Sequence, residues 1–161
     1  MIPRRARSYL TSPAGAPPPV ECTIVHRVQM READVMGILW HGHYPALFEE
    51  ASTEVRRRFG LGFPEFAAAD LRAPIVQMHI DYHAPLRLDE EVRVTARLFW
   101  NEAARLDLEY AARGQDGRLA ASGYTVHMFT CGRTGEPLLV APELLRRCWD
   151  RWRAGAGTLP A

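Results

Sequence analysis

The sequence predicts an α+β fold in which one antiparallel sheet covers one long helix. Three observations predict it: a single long run of helical period in the first half, a succession of alternating apolar and polar stretches in the second, and an amphipathic run near the end. Consecutive strands joined by short links pair antiparallel, and their apolar face is buried most simply against the long helix.

Residues 1–20 are rich in Arg and Pro and read as a disordered leader, with order expected from about Glu21. Residues 23–31, "TIVHRVQMR", alternate as a strand with Ile24, His26, Val28 and Met30 on one face. A loop from Glu32 to Gly42 then leads into the helix, where Pro45 suits the first turn because its φ is already helical. Leu47, Phe48, Ala51, Val55 and Phe59 recur at helical spacing and form the stripe to be buried. Arg56, Arg57 and Arg58 suit the negative pole of the last turns, and Gly60 ends the helix.

After the connection "GLGFPEFAAAD" the period falls to two. In "PIVQMHIDYHAPL", Val76, Met78, Ile80 and Tyr82 share one side, and Gln77, His79, Asp81 and His83 the other. Val92, Val94, Ala96, Leu98 and Trp100 repeat the pattern, followed by Leu106, Leu108 and Tyr110. The turn "RGQDGR" precedes a last strand from about Leu119 to Thr130. "PELLRRCWDRW" predicts a terminal helix burying Leu144, Leu145, Cys148, Trp149 and Trp152. One domain therefore spans 21–153, with 154–161 a flexible tail.

Composition narrows the function. The chain of 161 residues and 18.2 kDa suits one domain with a real core. Its net charge of +1 offers no bulk attraction to nucleic acid or a membrane surface. All 20 basic residues are Arg, which excludes Schiff-base chemistry on Lys and a P-loop Lys. The 3 cysteines are far apart and form no C-x-x-C, so they read as reduced thiols of a cytoplasmic protein. No apolar run approaches the roughly 20 residues that span a bilayer, and the Arg-rich start lacks the apolar stretch of a secretory signal.

The chemistry concentrates in Asp34 to Glu50, "DVMGILWHGHYPALFEE". In extended structure His41 and His43 fall on opposite sides, and no third ligand stands at a fixed spacing, so no metal is expected there. The segment reads as a helix cap at a pocket rim. Asp34 is flanked by Val35, Met36, Ile38, Leu39 and Trp40 and faces a helix start. Desolvation and nearby N–H dipoles would then act on it in opposite directions, a combination suited to a general base or nucleophile. An Asx-turn before Gly37 is the competing reading. Gly37 permits positive φ or a close backbone approach. N–H groups near Gly42 and His43 form a partial positive pole able to polarise a carbonyl oxygen.

"EADVMGILWHGHYPALFEEASTE" resembles the signature of the 4-hydroxybenzoyl-CoA thioesterase family, and within it the acyl-CoA thioesterases associated with the Tol-Pal system. The pattern D-x-x-G-x-x-x-H-x-x-Y is met by Asp34, Gly37, His41 and Tyr44, and the helix that follows by Glu49-Glu50-Ala51. "IDYHAPLRLDEEV" resembles a second family motif, and the likeness covers about 24 to 140.

The resemblance implies a hotdog fold: a curved antiparallel five-stranded sheet wrapped around a long central helix. It implies a homodimer or homotetramer built by pairing sheet edges, with the active site at the dimer interface. It places the catalytic acid on Asp34, as general base or nucleophile, and a carbonyl-orienting residue on His41. Gly37, Gly42, His43, Tyr44 and Glu49 fall at expected substrate-binding positions, and Arg87 is a candidate for CoA phosphates. The reaction expected is hydrolysis of an acyl-CoA or acyl-carrier-protein thioester to acid and thiol, without a cofactor and without nucleic acid. A non-catalytic acyl-CoA-binding protein is the alternative. A hotdog dehydratase ranks lower, since its H-x-x-x-x-G-x-P pattern is not met.

Overall fold

In the computed structural model, which describes residues 8–155, ten regular elements follow in order. They are β1 (Val20–Arg27), α1 (Tyr44–Phe59), α2 (Phe63–Ala68), β2 (Leu71–Arg72), β3 (Ile75–Tyr82), β4 (Glu91–Phe99), β5 (Arg105–Gly114), β6 (Leu119–Met128), β7 (Thr130–Cys131) and α3 (Glu143–Arg153). Short 3-10 turns occupy Met30–Glu32 and His41–His43, the second running straight into α1. The main sheet is antiparallel with strand order β1-β4-β5-β6-β3, so β1 and β3 are its edges. With α1 packed on β1 and β4, this is the expected hotdog fold.

The helical stripe is buried as its spacing predicts: Leu47, Phe48, Ala51, Val55 and Phe59 all lie inside. Phe48 stacks on Tyr110 of β5 with ring centroids 4.6 Å apart and planes 8° from parallel. From the sheet side, Val92, Val94, Ala96 and Leu98 of β4 and Leu106 and Leu108 of β5 close the core. Gly60 ends α1 in the left-handed region at φ 83°, where a Cβ would strain the backbone. Helix α3 then covers that end, with Trp152 edge-on to Phe59 at 4.9 Å. Leu145, Cys148 and Trp152 are buried, and Leu144 and Trp149 only half-buried.

Four expectations change. The first strand stops at Arg27, so Met30 leaves its face and is exposed. The connection after α1 contains α2, opened by Gly62 and Pro64. The last strand is broken after Met128, and β7 pairs with β2 in a separate two-stranded sheet. Strand β3 buries neither face: Val76 and Met78 are exposed because α1 packs over β1 and β4 at the other side of the sheet.

The leader also differs from expectation from Ser8 onward; residues 1–7 lie outside the described residues, as do 156–161 of the expected tail. The buried Glu109 carboxylate accepts hydrogen bonds from the Ser8 hydroxyl (2.9 Å) and from the N–H groups of Tyr9 and Leu10. Trp152 Nε1 donates to the Pro18 carbonyl at 3.0 Å. A carboxylate with several donors converging on it holds a segment that its Pro content alone leaves unstructured.

Candidate active site

The loop from Val28 to His43 is braced at both ends. Glu32 accepts from the Gln29 N–H at 2.9 Å and lies 2.8 Å from His26 Nε2. Burial alone would raise its carboxyl, but these two partners outweigh burial and hold it below the usual carboxylate range. The Glu32 carbonyl in turn accepts from the Trp40 N–H at 2.9 Å. On the other side, Leu39 N–H donates to the Leu86 carbonyl (2.8 Å) and Leu88 N–H to the Gly37 carbonyl (3.1 Å), tying the loop to the segment that leaves β3.

Asp34 forms the Asx-turn: Oδ1 accepts from the Met36 N–H at 2.8 Å, and the main-chain carbonyl accepts from Gly37 at 3.0 Å. Gly37 closes this turn with φ 71°, a left-handed conformation that favours glycine. The turn and the pocket reading are compatible. One Asp34 oxygen is committed to the backbone, while the half-buried residue lines a cleft of about 430 Å³. The other walls of that cleft include Ile38, His41, Tyr44, Tyr82 and His83.

The structure thus brings Asp34, His41 and Tyr44 together as cleft walls, and the other candidates are not among those walls. Tyr44 is buried, and burial first, then the neighbouring Tyr82, pushes its phenol up to about 12, so it is neutral at physiological pH. His43 faces Trp40 with rings 5.5 Å apart, and its main-chain N–H donates to the Trp40 carbonyl at 2.9 Å, so that N–H is not free to polarise a substrate carbonyl. Gly42 keeps its place for a packing reason: a Cβ there would overlap the Trp40 indole. Gly37 serves the turn beside the cleft. Glu49 lies elsewhere, in the groove between β1 and α1, where it accepts from Arg56 Nη2 at 3.0 Å.

Two cleft residues stand outside the set of catalytic and substrate-binding positions expected from sequence. Tyr82 and His83 come from the end of β3, and no local pattern says that this end meets the helix start. The Tyr82 hydroxyl donates to the His41 carbonyl at 3.0 Å, and its ring stands edge-on to Tyr44 at 5.2 Å. Their only sequence signal is their position within "IDYHAPL".

An antiparallel five-stranded sheet packed on one long helix is the fold of solved thioesterases. The model of the thioesterase-like superfamily matches residues 28–148, and the chain belongs to that family. It is similar to the acyl-CoA thioester hydrolase YbgC of Escherichia coli, 28% identical over 72 residues, or 45% of this chain and 54% of that protein. The chain spans 54% to 58% of the length of the curated relatives it matches. Among solved structures, protein TT1821 of Thermus thermophilus is 28% identical with TM-score 0.70, covering 80% of this chain and 96% of that one. Protein SAV2348 of Staphylococcus aureus, solved in complex with CoA, shares the fold at TM-score 0.74 and 19% identity over 93% of each chain.

Proposed function

We propose that the protein hydrolyses acyl thioesters of CoA, or of an acyl carrier protein, to the free acid and thiol. The observation that carries this reading is the convergence of Asp34, His41 and Tyr44 on one cleft at the opening of α1. Asp34 acts on the thioester as general base towards water or as nucleophile at the carbonyl carbon. The Gly42 N–H, for which the described residues supply no acceptor, and the positive pole of α1 stabilise the oxygen that gains charge. A well-placed donor of this kind is worth roughly 3 kcal/mol in the transition state. Similarity to the hydrolase YbgC supports both the reaction and the narrower likeness to Tol-Pal-associated thioesterases.

Edge pairing of two or more copies completes the site in this reading. It is supported by the free edge of β3, with Val76 and Met78 exposed, and by exposed Val35 and Met36 beside the cleft. Glu49, which lines a different groove from Asp34 within one chain, then belongs to the neighbourhood of a partner. The test is thiol release from short, long and aromatic acyl-CoAs, with wild type beside Asp34→Asn. Turnover that vanishes in the variant supports the assignment. Equal turnover in both removes Asp34 from it, and tight acyl-CoA binding without turnover in wild type selects the binding-protein alternative.

A further inference from the structure

On the face of the sheet opposite α1, Tyr9 lies over the seam where the edge strand β3 joins β6. Its ring is 5.5 Å from His79 of β3 and 5.6 Å from Tyr124 of β6, which stand opposite each other in the ladder. Its hydroxyl reaches the next such pair, donating to Asp81 Oδ2 of β3 at 2.5 Å and lying 2.7 Å from Ser122 Oγ of β6. The main chain around Tyr9 is seated on the Glu109 carboxylate of β5, so one segment grips three strands. Strand β3 needs the hold, because α1 packs over β1 and β4 instead. Among the described residues, β3 makes side-chain hydrogen bonds outside the sheet at two positions, and they are consecutive. Asp81 accepts from Tyr9 on one face, and Tyr82 donates to the His41 carbonyl at 3.0 Å on the other.

Tyr82 and His41 are both walls of the cleft that holds Asp34. The end of β3 therefore carries a cleft wall without a helix packed behind it, and Tyr9 is its hold from that side. We propose that the segment around Tyr9 is a latch on β3, and that Tyr9 and Asp81 are positioning residues that keep Tyr82 within reach of His41 and so set the width of the cleft. A hydrogen bond to a carboxylate is of the stronger kind. Tyr9, and after it His79, holds the Asp81 carboxyl below its usual range, so the acceptor is ionised at neutral pH. The latch precedes residue 28, where the family match begins. Its effect on turnover rests on the thioester reading above; its effect on the cleft does not.

The test uses the full chain in four variants: Tyr9→Phe, which keeps the ring and removes the hydroxyl, Asp81→Ala, Asp81→Asn, which keeps an acceptor, and Tyr9→Phe combined with Tyr82→Phe. Amide NMR without ligand reads the cleft directly. In Tyr9→Phe the resonances of the His41–Tyr44 turn, on the other face of the sheet, are expected to shift, and in Asp81→Ala to shift the same way. Thiol release is expected to show kcat/KM lower by about threefold to tenfold in both variants, with a smaller loss in Asp81→Asn. The double variant is expected to lose no more than the more affected single one, since both changes free the same strand end. Turn resonances that stay in place in Tyr9→Phe, or losses that multiply in the double variant, overturn the latch. Shifted turn resonances together with no turnover in wild type overturn hydrolysis instead and leave the latch standing.

Discussion

Tyr82 donates its hydroxyl to the main-chain carbonyl of His41 at 3.0 Å, so the last residue of the edge strand and the first of the helix-opening turn are held together. The bond joins the two sides of the cleft. Tyr82→Phe retains the ring beside Tyr44 and deletes only this bond. Because Tyr82 is half exposed, the expected stability loss is about 1 kcal/mol or less, whereas thiol release falls several-fold as His41 loses its anchor. Thermal denaturation beside acyl-CoA turnover checks the pair of outcomes; equal turnover would remove the tie from the site.

Phe48→Ala tests the core beneath the site. The ring is buried and stacked on Tyr110. Its removal leaves a cavity between α1 and β5, with an expected cost of about 3–5 kcal/mol. Urea denaturation reads this as a lower midpoint at unchanged slope.

Gly42→Ala tests the packing of the helix-opening turn. The new methyl overlaps the Trp40 indole and must displace it. Overpacking of this kind costs about 1–3 kcal/mol, and the half-exposed ring can move out to the lower end of that range. Near-ultraviolet circular dichroism is expected to change, and turnover to fall. An unaltered spectrum would show that the indole already has room.

Stability is expected to fall in mild acid through His127. Burial, opposed by a hydrogen bond to the Ala73 carbonyl, holds this imidazole below its ordinary pKa. The unfolded chain therefore takes up a proton near pH 6.5 that the folded chain refuses. Stability is complete above that pH and declines below it, at up to about 1.4 kcal/mol per pH unit from this one residue. Denaturation at pH 7.5 and 5.5 measures the decline, and His127→Gln is expected to flatten it.

The sequence makes α1 legible because Leu47 to Phe59 carry their burial in a local period and Gly60 carries the stop. Strand β4 is legible for the same reason. Strand β3 shows the limit of a period: alternation distinguishes two faces, but not a strand that pairs on one side only. Asp34, His41 and Tyr44 are readable as a motif because one loop and one helix start contain them. Tyr82 and His83 enter the cleft through pairing of β3 with β6, a relation between distant segments that spacing does not encode. Tyr9 was hidden further by a Pro-rich context, since its partners Asp81 and Ser122 lie on two strands that no pattern connects to it.

The strand order carries a consequence for how the chain folds. Strands β4, β5 and β6 form a meander of neighbours, whereas β1 must find β4 across the whole helical segment, and β3 must find β6 from the other end of the meander. Closing long loops costs entropy before it returns contacts, so the meander is the natural nucleus and the two edges dock afterwards. The cleft is built from the loop that follows β1 and the residues that end β3. The cleft therefore exists only once both edge strands have paired, and ligand capture during refolding is expected to report that pairing rather than the first collapse.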